Sequence, residues 1–165
     1  MELFEAIKNR RSIRKYKKGF DIPQQDIIDI AETGKYAASG RGEYPWKFVI
    51  VQGERLLELT RIVGGNGVFM ASASACIVVI CKDVRYYIED GAAATQNILL
   101  AAYAKGYGAC WIAGDKKDYA PQVLTFINAP AGYKLVVNIC LGLPLESPIR
   151  QKPANKDVII WDKIS

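Results

Sequence analysis

The order of apolar and polar positions divides the chain into short elements of alternating type. Leu3, Phe4 and Ile7 recur at helical spacing and predict a short first helix. Asp21-Ile22-Pro23-Gln24 reads as the next helix start, with Asp21 at or near the cap and Pro23 in the first turn. Ile27, Ile28, Ile30 and Ala31 give that helix an apolar face to about Ala38, with Gly34 inside it. Gly40, Gly42 and Pro45 make residues 37–46 a loop. Residues 48–51 predict a strand, and residues 54–63 a helix carrying Leu56, Leu57, Leu59 and Ile62. Residues 64–67 predict a mobile glycine loop, and 75–81 a buried strand rich in Ile and Val. Residues 108–114 and 135–143 are further strands, with a short helix at 118–127 between them. From Pro144 onward the composition changes to an extended tail, which ends in the strand-like apolar run Val158-Ile159-Ile160-Trp161.

The stretch at 89–105 departs from ordinary amphipathic patterning. Glu89 and Asp90 open it, Lys105 closes it, and the residues between are uncharged and mostly Ala, Ile and Leu. The charges complement a helix dipole, and Gly106 is a fitting stop. A helix apolar nearly all round must be covered on all sides. The central helix of a dimer and a buried helix of a monomer both satisfy that requirement, and the first is the expectation here.

At 165 residues the chain can build one domain with a real core. Half of the residues are hydrophobic, which points to a subunit interface, a bound cofactor or both. A net charge of +5 suits an anionic ligand without calling for nucleic acid. The first ten residues are half polar and do not read as a signal peptide, and no apolar run is long enough for a membrane helix. Cys76, Cys81, Cys110 and Cys140 have no paired metal spacing, so free buried thiols in a reducing compartment, the cytoplasm, are expected. The chain contains no histidine, which excludes Ser-His-Asp and Cys-His nucleophiles and any zinc site that needs imidazole. An enzyme of this composition leaves its chemistry to a cofactor.

Candidate chemistry concentrates in Arg10-Arg11-Ser12-Ile13-Arg14, at the end of the first helix. Three guanidinium groups in five residues repel one another unless an anion gathers them, and forked donors beside a hydroxyl match phosphate oxygens. A solvated basic turn is the other reading of the same residues. Ser39, Tyr44 and Trp46 place polar donors and aromatic surface in the loop at 37–46. Small residues at 113 and 114 let a flat ligand approach backbone N–H groups.

Four motifs in order resemble the nitroreductase family of FMN-dependent oxidoreductases over nearly the whole chain. They are Arg10-Arg11-Ser12-Ile13-Arg14; Ala38-Ser39-Gly40 with Pro45, Trp46 and Phe48; the Ala-rich helix followed by Gly106-Tyr107-Gly108-Ala109-Cys110-Trp111-Ile112-Ala113-Gly114; and Leu141-Gly142-Leu143-Pro144 with Arg150-Gln151-Lys152-Pro153. The resemblance implies an α+β fold with a central, mostly antiparallel sheet flanked by helices. It implies an interlocked homodimer in which residues 144–165 wrap the partner, all within one domain. FMN would be held by Arg10, Arg11, Ser12, Arg14, Ile112, Arg150 and Lys152, with Ala38, Ser39 and Gly40 supplied by the other subunit. Backbone N–H groups of Ala113 and Gly114 would lie near the flavin N5, and Arg41, Tyr44, Phe69 and Met70 would line the substrate pocket.

By the same resemblance, NADH or NADPH would be the electron donor and a small nitroaromatic, quinone or related molecule the acceptor. Hydride would pass through N5 in two alternating half-reactions, with no catalytic side chain, metal, nucleic acid or membrane involved. Gly42, Tyr44 and Ala38 stand where the family often has Asn, Gln and Pro, which touches substrate choice more than flavin binding. A specialised member acting on a halogenated aromatic, an ene substrate or the flavin itself is a second reading. A non-enzymatic flavin- or nucleic-acid-binding dimer ranks last, because the aromatics lie mostly within apolar elements.

Overall fold

The computed structural model describes residues 2–149, 153 and 158–161. Four strands form one antiparallel sheet in the order β1-β2-β4-β3: β1 (Trp46–Val51), β2 (Ala75–Lys82), β3 (Gly108–Ala113) and β4 (Tyr133–Gly142). The helices are α1 (Leu3–Asn9), α2 (Gln24–Glu32), α3 (Gly53–Val63), α4 (Tyr87–Ala104) and α5 (Ala120–Phe126).

Both faces of the sheet are covered, which is why its central strands read as unbroken apolar runs. Side chains alternate between the faces. Ile77, Val79 and Cys81 of β2 join Ile27 and Ile30 of α2 and Ile98 and Ala102 of α4 in one core. Cys76, Val78 and Ile80 join Leu56 and Leu59 of α3 and Val123 of α5 in the other. Gly91 lets α4 lie close on the sheet, since a Cβ there would sit 2.8 Å from Val136.

Within one chain, α4 is not covered on all sides. Its buried positions, Gly91, Ala94, Thr95, Ile98, Leu99 and Ala102 among them, form a single stripe at helical spacing, and Ala92, Ala93, Leu100 and Ala101 are only half-buried. Helix α2 begins after Pro23 and stops at Glu32, short of the expected Ala38. A 3₁₀ turn, Thr33–Tyr36, follows, because Gly34 is pressed against Phe48, whose ring would lie 2.6 Å from a Cβ at that position. The glycine loop after α3 is regular too: Gly65–Ser72 is 3₁₀. Val158, Ile159, Ile160 and Trp161 pair with no strand among the described residues and are exposed.

The basic stretch is more than a connecting loop. It runs extended along the outer edge of β3. The Ile13 N–H donates to the Ala109 carbonyl at 3.0 Å, and Ser12 forms a parallel bridge to Ala109. Further on, Tyr16 bridges Pro144, and the Lys17 N–H donates to the Leu143 carbonyl at 2.9 Å. Ile13 and Tyr16 are buried beneath this edge. Among the described residues, no helix is long and apolar enough to cross a membrane.

Candidate functional site

The basic stretch opens on two cavities, Arg14 on one and Arg10 and Arg11 on the other. Arg14 opens on a cavity of about 490 Å³ walled by Phe69, Cys110, Trp111, Ile112, Ala113, Lys117 and Tyr119, with Gly64, Gly65 and Gly67 at its rim. The Arg14 guanidinium stands 5.9 Å from the centre of the Phe69 ring. Its backbone N–H donates to Glu146 Oε1 at 2.6 Å, which ties the segment after β4 to the basic stretch. Thus Arg14, Phe69 and the Ile112-Ala113 end of β3, distant in sequence, line one cavity.

Arg10 and Arg11 line a second cavity of about 660 Å³, with Ile13, Leu99, Tyr103, Tyr107 and Glu146. Burial, then the charge of Arg11, pulls the Arg10 guanidinium below its ordinary value. An anion near Arg10 would relieve that repulsion. Arg11 has another task. Its Nη1 donates to the Lys8 carbonyl at 2.7 Å and to the Arg10 carbonyl at 2.9 Å, so it closes the C-terminal end of α1. This capping role comes beside the expected ligand role of Arg11, whose buried Nε has no hydrogen-bond partner among the described residues. Burial raises the Cys110 thiol, while the charge of Arg14, the Ser12 hydroxyl and the charge of Arg10 pull it down.

Backbone at the end of β3 decides which N–H groups face outward. Antiparallel pairing alternates bonded and open positions. The Gly114 N–H donates to the Val136 carbonyl at 3.1 Å. Gly114 is therefore committed to the sheet and offers no donor to a ligand, contrary to expectation. The alternation turns the groups of Ala109, Trp111 and Ala113 away from β4, and Ala109 already shows this by accepting from Ile13. The Ala113 carbonyl accepts from the Tyr119 hydroxyl, and its N–H is left on the cavity side.

Ala38, Ser39 and Gly40 line a third recess of about 360 Å³ with Tyr86, Glu89, Asp90 and Ala93. The Ser39 hydroxyl donates to Asp90 Oδ2 at 2.8 Å, the Gly40 N–H donates to Asp90 Oδ1 at 2.8 Å, and the Tyr44 N–H donates to Ser39 Oγ at 2.9 Å. Arg41 and Tyr44 follow in left-handed backbone, φ 60° and 45°. That conformation is uncommon without glycine. Both are exposed, and the Tyr44 ring meets Trp46 edge-on at 5.7 Å.

Met70, expected in the substrate pocket, is fully buried in the α3 core and reaches none of these cavities. Arg150 and Lys152 lie outside the described residues. The structure adds Lys117 and Tyr119 to the Arg14 cavity and Asp90 beneath Ser39. Lys117 follows the Gly114 turn, so a basic residue just past a small-residue strand end was its only signal in the sequence. Asp90 read there only as a charge at a helix start.

The nitroreductase family model matches residues 7–73 and 65–143. The chain is 33% identical, over 90% of its length and 80% of the relative's, to a candidate NADH dehydrogenase/NAD(P)H nitroreductase of Methanothermobacter thermautotrophicus. A crystal structure with the same description, from Parabacteroides distasonis, superimposes with a TM-score of 0.90 at 27% identity, covering 98% of both chains. An FMN-dependent nitroreductase from Clostridium difficile superimposes with a TM-score of 0.89 at 25% identity, covering 98% of this chain and 99% of that one.

Proposed function

The chain belongs to the nitroreductase family, and from that premise we propose that it is an FMN-dependent oxidoreductase that draws electrons from NADH or NADPH. The observation that carries this reading is the Arg14 cavity, where cations, an outward backbone N–H and flat apolar walls converge at the edge of β3. FMN needs each of these: cations for its phosphate, a donor for the polar edge of its ring and apolar surface for its faces. The residues present fit it. Bound there, FMN would accept hydride from NADH or NADPH and release it to a nitroaromatic, quinone or similar small acceptor in two alternating half-reactions.

In this reading the residues of the chain take the following roles. Arg14, in this cavity, and Arg10, which lines the neighbouring one, would hold the phosphate and polar ring edge through charge-assisted hydrogen bonds, with Ser12 between them in sequence as a further donor. The Ala113 N–H donates to the ring, and Ile112, Trp111 and Phe69 exclude water from one face. Lys117 adds a cation on the open side. By the family resemblance, Arg150 and Lys152, outside the described residues, would meet the phosphate too. With no histidine in the chain, the protons the acceptor takes up would come from solvent or from Lys117 or Tyr119 at the cavity wall.

Ser39 and Gly40 open on a different recess from Arg14. In this reading the two half-sites meet only when a second copy supplies Ser39, Gly40, Arg41 and Tyr44 to the ring bound by the first. A homodimer is supported by the uncovered apolar surface: Leu3, Phe4 and Ile7 of α1, the outer side of α4, and Val158 to Trp161. Pro144, Leu145 and Glu146 stay against their own chain's basic stretch, so the tail of the single domain would cross to the partner only after them. Four unpaired thiols fit a reducing compartment, the cytoplasm.

Anaerobic mixing tests the activity. FMN-loaded protein should lose its oxidised-flavin absorbance on addition of NADH or NADPH, and an added quinone or nitroaromatic should restore it. Absorbance unchanged by either nucleotide would contradict the proposal.

A further inference from the structure

We propose that Asp90 is a positioning residue that fixes the hydrogen-bond polarity of Ser39, so that Ser39 meets the flavin only as an acceptor. This rests on the FMN reading above. A serine hydroxyl has one donor and two acceptor positions. Here its donor goes to Asp90 Oδ2, and one acceptor position takes the Tyr44 N–H. One lone pair remains. The other oxygen of Asp90 is engaged by the Gly40 N–H. A ligand group on Ser39 must therefore be a donor, such as a ribityl hydroxyl or a ring N–H. A phosphate oxygen, an acceptor, finds nothing to accept from Ser39.

Burial makes the arrangement rigid. Asp90 is 4% exposed, and Gly40 packs so closely on Tyr86 that a Cβ would lie 2.6 Å from its ring. The clamp also holds the loop that places Arg41 and Tyr44 in left-handed backbone. A carboxylate at position 90 accepts from both Ser39 and Gly40. An amide of the same shape has only one oxygen and puts donors in place of the other. Asp90→Asn thus retains the volume while disturbing the polarity of Ser39.

The test is a double-mutant cycle on flavin affinity, with wild type, Asp90→Asn, Ser39→Ala and the double variant each titrated with FMN and with riboflavin. Each single change should raise Kd about tenfold, the size of one ordinary hydrogen bond. The double variant should be no worse than Ser39→Ala, whereas independent effects would multiply to about a hundredfold. FMN and riboflavin should lose affinity by the same factor, since the phosphate is not involved. Amide exchange on flavin-free protein should show the Gly40 N–H losing protection in Asp90→Ala, which removes its acceptor, whereas Asp90→Asn keeps one through Oδ1. Multiplicative effects, a loss confined to FMN, or unchanged protection at Gly40 would overturn the inference. A wild type that takes up neither flavin would overturn the FMN reading itself, and unchanged or lost protection in the flavin-free protein would still decide whether Asp90 holds the loop.

Discussion

The Ile13 N–H donates to the Ala109 carbonyl at 3.0 Å, and the Ile13 side chain packs over Gly108, where a Cβ would lie 2.9 Å away. Backbone and side chain together press the basic stretch against the edge of β3. The arginines on either side of Ile13 take their places from this contact. Ile13→Ala should therefore cost about 2–5 kcal/mol of stability, and Ile13→Val about 0.5–1.5 kcal/mol. Urea unfolding measures both. Flavin affinity should fall with the alanine change and stay near wild type with valine.

Arg11 and its neighbours should separate in experiment. Arg11 caps α1 through the Lys8 and Arg10 carbonyls. Arg11→Ala should lower stability by about 1 kcal/mol, the usual worth of such a bond. Its FMN affinity should remain within about threefold of wild type. A larger loss of affinity, measured by fluorescence titration, would return Arg11 to the ligand.

Gly114 is required by space and by hydrogen bonding. A Cβ there would lie 2.6 Å from Leu135 and 2.9 Å from the Val136 carbonyl, the same oxygen that accepts from the Gly114 N–H. Gly114→Ala must move backbone at the end of β3. The expected cost is about 1–3 kcal/mol. Because Ala113 moves with it, purified protein should also carry less flavin, read as the ratio of flavin to protein absorbance.

Lys105 at the end of α4 holds Asp26 and Asp29 of α2 at 2.6 and 2.8 Å. Hydrogen bonds from Lys105 pull both carboxyls below their ordinary value, and the same bonds raise Lys105. A depressed carboxyl stabilises the fold above its unfolded value of about 4, and the effect is lost as pH falls through the folded value. A raised lysine acts in the opposite sense. Its contribution is complete below about 10.4 and is lost as pH rises past the folded value. Lys105→Met should thus flatten the fall of Tm below about pH 4. The effect will be small, since the groups face solvent. An acid limb identical to wild type would contradict the pairing.

The strands and α4 were legible in the sequence because burial on both faces of the sheet leaves unmistakable apolar runs. The basic stretch was legible as chemistry but not as structure. Its partner, the Ala109 carbonyl, lies about a hundred residues away, and a backbone bond leaves no mark on side-chain pattern. Arg10, Arg11 and Arg14 are alike in sequence, and only the reach of Arg11 back to the Lys8 carbonyl tells it apart. Met70, in an apolar run after glycines, gave no sign that the 3₁₀ segment would turn it into the core. Asp90 was masked by a sufficient local explanation, the helix dipole, while its actual partners sit in the loop at 39–40.

The central claim is that Arg10 and Arg14 hold an FMN phosphate and ring edge. Its most direct measurement is an equilibrium titration of flavin-free protein with FMN, comparing wild type with the Arg10→Ala, Arg14→Ala double variant. Each lost charge-assisted hydrogen bond contributes about 1.5–3 kcal/mol, so the pair should weaken binding on the order of a hundredfold to ten-thousandfold. Riboflavin, which lacks the phosphate, should bind wild type far more weakly than FMN and lose much less in the variant. A wild type that binds FMN no better than riboflavin, or a double variant that binds FMN as wild type does, would contradict the account.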